Sequence, residues 1–426
     1  MDSVLNSLKL RHLESGKTTI NIKEEGYYAI CLKASASTSW QEENNESLMI
    51  RISVDKKHHQ DMVLFYGRES FIYKRLLGKM KQGTYDFEWI CDSPRNNQAY
   101  AEIESLTIEK LELSDQESLA VHYAPTLFGR SVYSRYDNLF TDIPLEMIYF
   151  FDEWDHGKVI EYHMVFSHED EGTPAVLLMS KWGRLLDIEY MARVYLNDRD
   201  EIDHVDYQGP EHKVKRYKNL LKGEEQIFLQ TATCNGNFTD EITSDYSFSF
   251  IPSYEWKLEH EAREVVMEKF PYINQVMRWE AERQLKTSML PYNSIQDVTQ
   301  YIYIQSSVWD VVLGQPTVDI LYRLKGEDEW HSSSLHDKKI GSFSAAYTGP
   351  YHHFATAIRL PEVNFIQDIE EIKVVLINEK LPKATVRNLK VLAYTEKSEL
   401  QQYIKAEFNQ QLNQVESEKV IWRREK

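Results

Sequence analysis

Carboxylates and histidines are concentrated in one stretch of the chain. Residues 160–206 carry eleven Asp and Glu but only four Lys and Arg, a balance of −7 within a chain whose formal charge is −18. His163, His168 and His204 lie in the same stretch. Carboxylates grouped with histidines can hold a hard cation, or they can share the roles of general acid and general base. We therefore expect a functional site here.

The most informative segment is KWGRLLDIEY. Asp187 and Glu189 are two positions apart, which on a β-strand places both carboxylates on one face. The pair could form a general acid–base site, a cation site or part of a salt-bridge network. Trp182 and Arg184 precede it, and an aromatic ring beside carboxylates is typical of sugar sites, where the ring stacks on a pyranose. We predict Asp187 and Glu189 as catalytic residues, and Trp182 and Arg184 as substrate-binding residues.

A second group of candidates lies around the turn in HVDYQGPEH. His204, Tyr207 and His212 carry imidazole and phenol groups that can donate or accept a proton. We predict them as further catalytic residues. The alternative for histidines beside a turn is an ordinary surface position.

Two other sets complete the predicted site. Glu169, Asp170 and Glu171 lie in the polar turn SHEDEGT, where carboxylates and free backbone carbonyls suit Ca²⁺. The alternative is an exposed hairpin tip. Arg130 and His163 are predicted to contact substrate, although Arg130 lies in a charged stretch that could instead form ordinary surface ion pairs.

The elements expected to position these residues are mostly strands. In residues 17–115 the segment LMIRISV alternates between apolar and polar positions, as a half-buried antiparallel strand does. Short strands separated by turn signals recur there and again in residues 298–395, which predicts two β-sandwiches. Between them, apolar runs such as residues 175–180 predict further strands. Residues 255–289 have helical spacing that Pro271 interrupts, which predicts two helices or one kinked helix.

The fold class follows from these elements. We predict a mainly β protein with some α-structure, in which jelly-roll-like β-sandwich domains flank a central mixed, β-rich domain. Near the end, Leu400, Ile404, Phe408, Leu412 and Val415 follow spacings of three and four, the pattern of an amphipathic helix. The predicted domains are 1–115 (N-terminal sandwich), 116–290 (central domain with the site), 291–395 (C-terminal sandwich) and 396–426 (C-terminal helix).

The first quarter of the chain resembles carbohydrate-binding modules of the jelly-roll type. The segments that carry the resemblance are EGYYAICLKAS, LMIRISVD, KQGTYDFEW and IESLTIEKLEL. They match the order of strands in those modules and contain no signature of ligand residues. The resemblance implies a sandwich with sugar binding as one function and a plain structural role as the other.

Blocks from the middle of the chain resemble an uncharacterised bacterial and fungal family. Among them are YAPTLFGR, IEYHMVFSHEDEGT, KWGRLLDIEYMARVYL, YQGPEH and REVVMEKFPY. The portion with DIE and the histidines is also distantly similar to Vps62-related proteins. The resemblance extends roughly from residue 123 to residue 285. It implies a single unit and supplies no reaction.

Composition and missing motifs exclude several classes of protein. The excess of acidic residues argues against nucleic acid as a partner, and no apolar run is long enough to predict a membrane span. The chain has no P-loop, no G-x-G-x-x-G, no G-x-S-x-G, no H-E-x-x-H and no C-x-x-C. Because no signal peptide is visible, we expect a cytoplasmic protein unless a leader was removed.

Three functions remain open at this point. The first is a carbohydrate-active enzyme, a polysaccharide hydrolase or lyase that uses the carboxylates, histidines and tyrosine of the central domain. The second is a non-catalytic protein that binds a glycan or a surface. The third is a cytosolic structural or assembly protein. An oligosaccharide or polysaccharide is the expected partner, Ca²⁺ is the only cofactor that the sequence suggests, and the oligomeric state is left open.

Overall fold

The structure is a computed structural model that describes most of the chain. It covers residues 8–42, 45–92, 98–130, 143–168, 173–220, 225–233, 236–287, 295–336, 338–361, 366–395 and 397–425. The protein is mainly β, as the sequence predicts. None of the described helices is long and apolar enough to cross a membrane.

The first part of the chain forms a β-sandwich of two four-stranded antiparallel sheets. Their strand orders are β1-β8-β3-β6 and β2-β7-β4-β5. The strands are β1 Leu8–Arg11, β2 Ser15–Ile22, β3 Gly26–Ala36, β4 Leu48–Val54, β5 Lys57–Leu64, β6 Phe71–Met80, β7 Gly83–Asp92 and β8 Tyr100–Lys110. The alternation predicted for β4 is confirmed at five of its seven positions, since Leu48, Ile50 and Ile52 are fully buried while Arg51 and Ser53 are half-buried. Met49, predicted to face outwards, is also buried, and Val54 is only half-buried.

A six-stranded sheet, called the central sheet below, follows in the chain. Its order is β14-β13-β12-β11-β10-β18, and a smaller sheet has the order β16-β15-β9-β17. Helix α1, Asp115–His122, precedes them and begins with a capping box between Ser114 and Glu117. The strands are β9 Thr126–Phe128, β10 Pro144–Trp154, β11 Gly157–Phe166, β12 Asp187–Asn197, β13 Ile202–Gly209, β14 Lys213–Arg216, β15 Phe228–Thr231, β16 Phe238–Thr239, β17 Ser247–Ser249 and β18 Pro252–Glu255.

A second sandwich is built from the later part of the chain. Its two sheets have the orders β24-β19-β26-β27 and β21-β20-β25-β28. Ile304, Ile320, Val374 and Val391 belong to one buried apolar cluster contributed by both sheets. The strands are β19 Tyr301–Trp309, β20 Val318–Leu324, β21 Trp330–Ser332, β22 Lys339–Ile340, β23 Phe343–Ser344, β24 His353–Arg359, β25 Ile369–Leu376, β26 Lys383–Tyr394, β27 Leu400–Asn413 and β28 Glu418–Arg423.

Three more helices lie before this sandwich in sequence: α2 Ala175–Trp182, α3 Val266–Lys269 and α4 Pro271–Thr287. Of the helical region predicted for residues 255–289, residues 266–287 are confirmed as two helices, with the interruption at Pro271, whereas Glu255 ends β18 and residues 288–289 lie outside the described residues. Proline is the first residue of α4, where its missing N–H would have had no partner within the helix. Its ring is therefore tolerated at the start of α4 but could not continue α3.

The strand predicted for residues 175–180 is wrong, because these residues form α2. A short apolar run fits a buried helix as well as a buried strand. Five of the eight residues of α2 are buried, so its sequence lacks the polar face that would indicate a helical period. Gly183 ends the helix with a φ of +64°, a left-handed conformation that favours glycine.

The C-terminal amphipathic helix predicted for residues 396–426 is also wrong. Residues in this segment form β27, which pairs along its whole length with β26, and β28, which pairs with β25. A spacing of four residues keeps side chains on one face of a strand as well as near one face of a helix. Ile404 and Leu412 are accordingly buried on one face of β27, whereas Val415 lies in the connection to β28 and is exposed.

The chain forms two compact units. The first contains residues 1–171 and 187–255, and the second contains residues 172–186 and 256–426. Residues of the predicted central domain therefore occur in both units. The sequence-based limits of the domains stay a prediction, since one compact unit can contain more than one domain.

Candidate functional site

The acidic pair of the first unit lies at the beginning of β12. Antiparallel pairing with β11 places Asp187 opposite Phe166 and Glu189 opposite Met164. Both carboxylates therefore point to one face of the central sheet, while Ile188 is fully buried on the other. Asp187 is buried, and the side chain of Glu189 is 14% exposed. The pair is thus held in a shielded position rather than at an open surface.

Two residues that follow β12 in the chain contact Glu189. Gln208 donates a hydrogen bond from Nε2 to Glu189 Oε2, and His212 Nδ1 lies 3.8 Å from the same oxygen. The backbone N–H of His212 donates to Asn237 Oδ1 at 3.2 Å. The structure therefore brings together three of the predicted residues, namely Asp187, Glu189 and His212. Gln208 and Asn237, which also belong to this group, were not predicted from the sequence.

Gly236 approaches the acidic pair more closely than any other residue type could. Its φ is +58°, and a Cβ atom there would lie 2.7 Å from Asp187 Oδ2 and 3.0 Å from Glu189 Cγ. Both the left-handed backbone and the contact require glycine. The signal in the sequence was the turn CNGN, whose glycine marks a close approach of backbone to side chains.

Tyr207 lies on β13 but makes a different contact. Its hydroxyl donates to Asp240 Oδ1 at 3.0 Å, and the other oxygen of Asp240 accepts from the N–H of Lys218 at 2.9 Å. Burial, together with the bond to Asp240, raises the pKa of Tyr207 to about 12. The phenol is therefore protonated at neutral pH. Its catalytic role stays a prediction.

His163 belongs to a buried network on the other face of the central sheet. Its Nε2 lies 2.7 Å from Glu161 Oε1, and Arg193 Nε donates to Glu161 Oε2. The side chains of His163 and Glu161 are 0% and 3% exposed. Burial on its own raises the pKa of Glu161, but the bonds and charges of His163 and Arg193 outweigh it, so the pKa is lowered. This geometry is that of a fixed ion pair inside the protein.

His204 is part of an aromatic cluster. Its ring stacks on Tyr195 with centroids 4.0 Å apart, and Trp154 packs edge-on to it at 5.5 Å. His204 Nδ1 lies 2.6 Å from Asp203 Oδ2. Cross-strand pairing places His204 opposite Tyr195, on the face that also carries Arg193. His204 is therefore on the opposite face from Tyr207.

Trp182 and Arg184 lie in the second unit. Arg184 Nε donates to Glu264 Oε1 at 3.0 Å, and the two side chains are only 4% and 6% exposed. Trp182 packs edge-on against Tyr347, with ring centroids 5.4 Å apart. In the first unit, Arg130 is buried and its carbonyl accepts from Tyr246.

The predicted Ca²⁺ ligands Glu169, Asp170 and Glu171 lie outside the described residues. Within the part of the chain that the structure does describe, no group of three or more His, Cys, Asp or Glu is arranged to hold a metal ion.

The second unit contains a cleft that no pattern in the sequence predicts. Its volume is about 530 Å³, and it lies on the outer face of the sheet β24-β19-β26-β27. One row across three strands consists of Gln305, Lys390 and Lys405, which are cross-strand partners. The next row contains Ser307 and Arg387. No two of these five residues are neighbours in sequence, so only strand pairing assembles them.

Charges in this cleft are partly compensated. Lys390 Nζ lies 2.6 and 2.5 Å from the two carboxylate oxygens of Glu268, and Gln305 Nε2 donates to Glu268 Oε1 at 3.0 Å. The pair is therefore fixed by three contacts. Lys405 is exposed, and its Nζ lies 3.8 Å from Glu407 Oε1. The cleft thus offers both donors and acceptors of hydrogen bonds.

Arg387 is fixed in position at the cleft by contacts that use only part of its guanidinium group. Its guanidinium carbon lies 4.8 Å from the ring centroid of Trp309, and its Nε donates to Asn409 Oδ1 at 3.3 Å. Trp309 in turn stacks on His352 at 4.2 Å and donates from its indole N–H to Ser307 Oγ at 3.1 Å. Among the described residues, no acceptor is hydrogen-bonded to Nη1 or Nη2 of Arg387. These two donors are therefore available to a ligand.

Solved structures similar to the chain include carbohydrate-binding modules. The CBM36-1 domain of a multidomain xylanase from the hindgut metagenome of Trinervitermes trinervoides covers 25% of this chain and 78% of its own, with 13% identity and a TM-score of 0.21. A carbohydrate-binding module CBM36 in complex with calcium and xylotriose covers 24% and 78%, with 8% identity and a TM-score of 0.20. NLPPya in complex with mannosamine covers 42% and 84%, with 12% identity and a TM-score of 0.24.

No protein-family model and no curated protein matches the chain. The resemblance of residues 123–285 to Vps62-related proteins therefore stays a prediction.

Proposed function

We propose that the protein binds carbohydrate in the cleft of the second unit. The observation that carries the proposal is the pair of cross-strand rows on the outer face of the sheet, where amide, hydroxyl and charged groups alternate beside the stacked Arg387 and Trp309. Each hydroxyl of a sugar both donates and accepts hydrogen bonds. A site for sugars therefore needs donors and acceptors side by side.

Arg387 is the residue expected to contribute most. Stacking on Trp309 and the bond to Asn409 fix the orientation of its guanidinium before a ligand arrives. A donor that is already oriented loses little conformational entropy on binding. Its planar Nη1 and Nη2 can donate to two adjacent sugar oxygens, a geometry that lysine cannot reproduce.

The test is binding of the wild type and of Arg387→Ala to a glycan array, followed by calorimetry on the best ligand. Hydrogen bonds to charged groups contribute about 1.5–3 kcal/mol, so we expect roughly 10- to 100-fold weaker binding by Arg387→Ala. The matched control is Arg423→Ala. Arg423 is an exposed arginine on β28 of the same unit, it pairs with Glu371 at 2.7 Å, and it does not line the cleft.

A wild type that binds no glycan at millimolar concentration would contradict the proposal. Equal losses in Arg387→Ala and Arg423→Ala would contradict the choice of site, because both substitutions remove one exposed positive charge from the same unit.

A catalytic function is the second candidate, and the contact between Glu189 and His212 favours it. A carboxylate and an imidazole within 3.8 Å can exchange a proton once a substrate draws them together. We propose hydrolysis or β-elimination of a polysaccharide as the reaction. Glu189→Gln keeps the shape of the side chain, so unchanged turnover of a substrate found on the array would eliminate this candidate.

A further inference from the structure

A second cleft lies in the first unit, and none of the predicted site residues lines it. Its volume is about 630 Å³. Part of its lining is apolar, with Leu76, Phe128 and Phe250 among the residues. Polar groups complete the lining, and two of them are Tyr27 and His122. The cleft is large enough for a small molecule that has an apolar part.

Three side chains of this cleft form a chain of hydrogen bonds. The hydroxyl of Tyr27, on β3, lies 2.8 Å from Nδ1 of His122, the last residue of α1. The other ring nitrogen of His122, Nε2, lies 2.7 Å from Oε2 of Glu225, which precedes β15. Tyr27 and His122 are 95 positions apart in the chain, and His122 and Glu225 are 103 positions apart, so only the fold brings the three side chains together.

The direction of these hydrogen bonds follows from the groups involved. A carboxylate only accepts, so His122 donates to Glu225 from Nε2. The neutral imidazole then has its lone pair on Nδ1, which accepts from the hydroxyl of Tyr27. Hydroxyl, imidazole and carboxylate thus occur in the order in which a nucleophile, its base and the residue that orients the base occur in hydrolytic enzymes.

The surroundings of Tyr27 keep its hydroxyl protonated until a base removes the proton. The pKa of Tyr27 is raised, mainly by burial. The charge of Lys79 lowers this pKa, and the charge of Glu225 raises it. Lys79 is the cross-strand partner of Tyr27 and forms an ion pair with Glu25 at 3.1 Å. The hydroxyl is therefore a donor to His122 at neutral pH.

We propose that this cleft hydrolyses short-chain acyl esters of phenols, with Tyr27 as nucleophile, His122 as base and Glu225 as the residue that orients His122. The oxygen of Tyr27 bonds to the acyl carbon while its proton passes to His122 Nδ1. The ester C–O bond then breaks, and the departing phenol takes the proton from His122. Water next attacks the acyl-tyrosine and gives one proton through His122 back to the Tyr27 oxygen, and the carboxylic acid leaves.

The choice of substrate follows from the leaving group. The hydroxyl of an ordinary tyrosine has a pKa of about 10, and burial raises the pKa of Tyr27. The addition intermediate goes forward only when the departing group is no more basic than this tyrosinate. Amides fail this condition, and esters of phenols satisfy it. The apolar part of the lining, which includes Leu76 and Phe250, suits the acyl chain or the aromatic ring of such an ester.

The test uses the full chain and p-nitrophenyl acetate. We expect Tyr27→Phe to lower turnover at least 100-fold, since the ring remains and only the nucleophilic oxygen is lost. The matched control is Tyr85→Phe, which removes a hydroxyl of the same sandwich that donates to the carbonyl of Lys81. An acid quench during wild-type turnover, followed by peptide mass spectrometry, is expected to find an acetyl group on Tyr27.

Two results would overturn the proposal. One is turnover by the wild type that equals turnover by Tyr27→Phe. The other is the absence of acetyl from Tyr27 at every quench time. Neither result affects the binding proposal for the second unit, because the two clefts share no residue.

Discussion

Two sheets of the molecule differ in how far their charged side chains are buried and paired. The central sheet buries Glu161 and His163 completely and pairs them at 2.7 Å. The sheet of the second unit that carries the cleft leaves Arg387 and Lys405 exposed. A buried charge must have fixed partners, because desolvation costs several kcal/mol for each ion. An exposed charge with few fixed contacts remains available to a ligand, so the second arrangement is the better candidate for binding.

The largest expected effect comes from breaking the buried pair. Glu161→Gln leaves His163 and Arg193 without their carboxylate, and the loss of one partner of a buried ion pair costs about 3–5 kcal/mol. Glu268→Gln, at the partly exposed pair with Lys390, is expected to cost only about 1 kcal/mol. Hydrogen exchange of amides in β11 and in β26 measures the two effects separately. Equal costs would show that the contrast between the sheets is wrong.

A smaller loss of folding stability is expected from a substitution at Gly236, which lies against Asp187 and Glu189. Gly236→Ala adds a methyl group that would lie 2.7 Å from a carboxylate oxygen, in a left-handed conformation. The conformation alone costs about 1–2 kcal/mol, and the contact adds about 1–3 kcal/mol. The matched control is Gly78→Ala in the same unit, where φ is +80° and nothing lies within 4 Å of the added atom. Urea unfolding that gave equal losses would show that the loop does not press on the acidic pair.

The two sheets are also expected to lose stability at different pH values. Burial lowers the pKa of His353, which lines the cleft, below the value of ~6.5 that histidine has in the unfolded chain. As the pH falls below ~6.5, the unfolded state therefore binds a proton more readily than the folded state, and folding stability is lost. The lowered pKa of Glu161 contributes stability above ~4.3 that is lost only on further acidification. Hydrogen exchange between pH 7 and pH 4 should therefore find β24, which carries His353, weakened before β11, which carries Glu161. If β11 weakened first, the assignment of the higher pH range to His353 and the lower one to Glu161 would be wrong.

The smallest expected effect concerns Ca²⁺. If Glu169, Asp170 and Glu171 bind it, a concentration ten times Kd stabilises the protein by ~1.4 kcal/mol, and EDTA reverses the gain. Thermal unfolding measures this, with Mg²⁺ as the control ion and Asp170→Asn as the variant expected to lose the response. An identical response in wild type and variant would eliminate these ligands.

Local patterns in the sequence predicted part of the acidic site. Asp187 and Glu189 share a face because strand geometry dictates it, and the pairing of β12 with β11 agrees. The approach of His212 and Gly236 depends on two turns, and no spacing rule predicts where turns bring side chains. The split of His204 and Tyr207 between opposite faces, in contrast, follows from their odd separation on one strand.

The fold was predictable where side chains alternate and ambiguous where they do not. Spacings of four between Leu400, Ile404, Phe408 and Leu412 satisfy helix and strand alike, and only pairing with β26 decides between them. The cleft of the second unit was not predictable, because Gln305, Arg387 and Lys405 meet through partners far away in the chain. The chain of Tyr27, His122 and Glu225 was hidden for the same reason.

The division of residues between the two units makes each of them discontinuous in sequence. The backbone passes from one unit to the other after residues 171, 186 and 255, so three covalent connections join them. A fragment made of residues 256–426 would lack α2, and with it the carbonyl of Ser180 that accepts from Thr356 Oγ1 at 2.5 Å. Neither unit can therefore be produced intact as one uninterrupted stretch. A protease cut within residues 172–186 would damage the second unit while leaving its remaining sequence untouched.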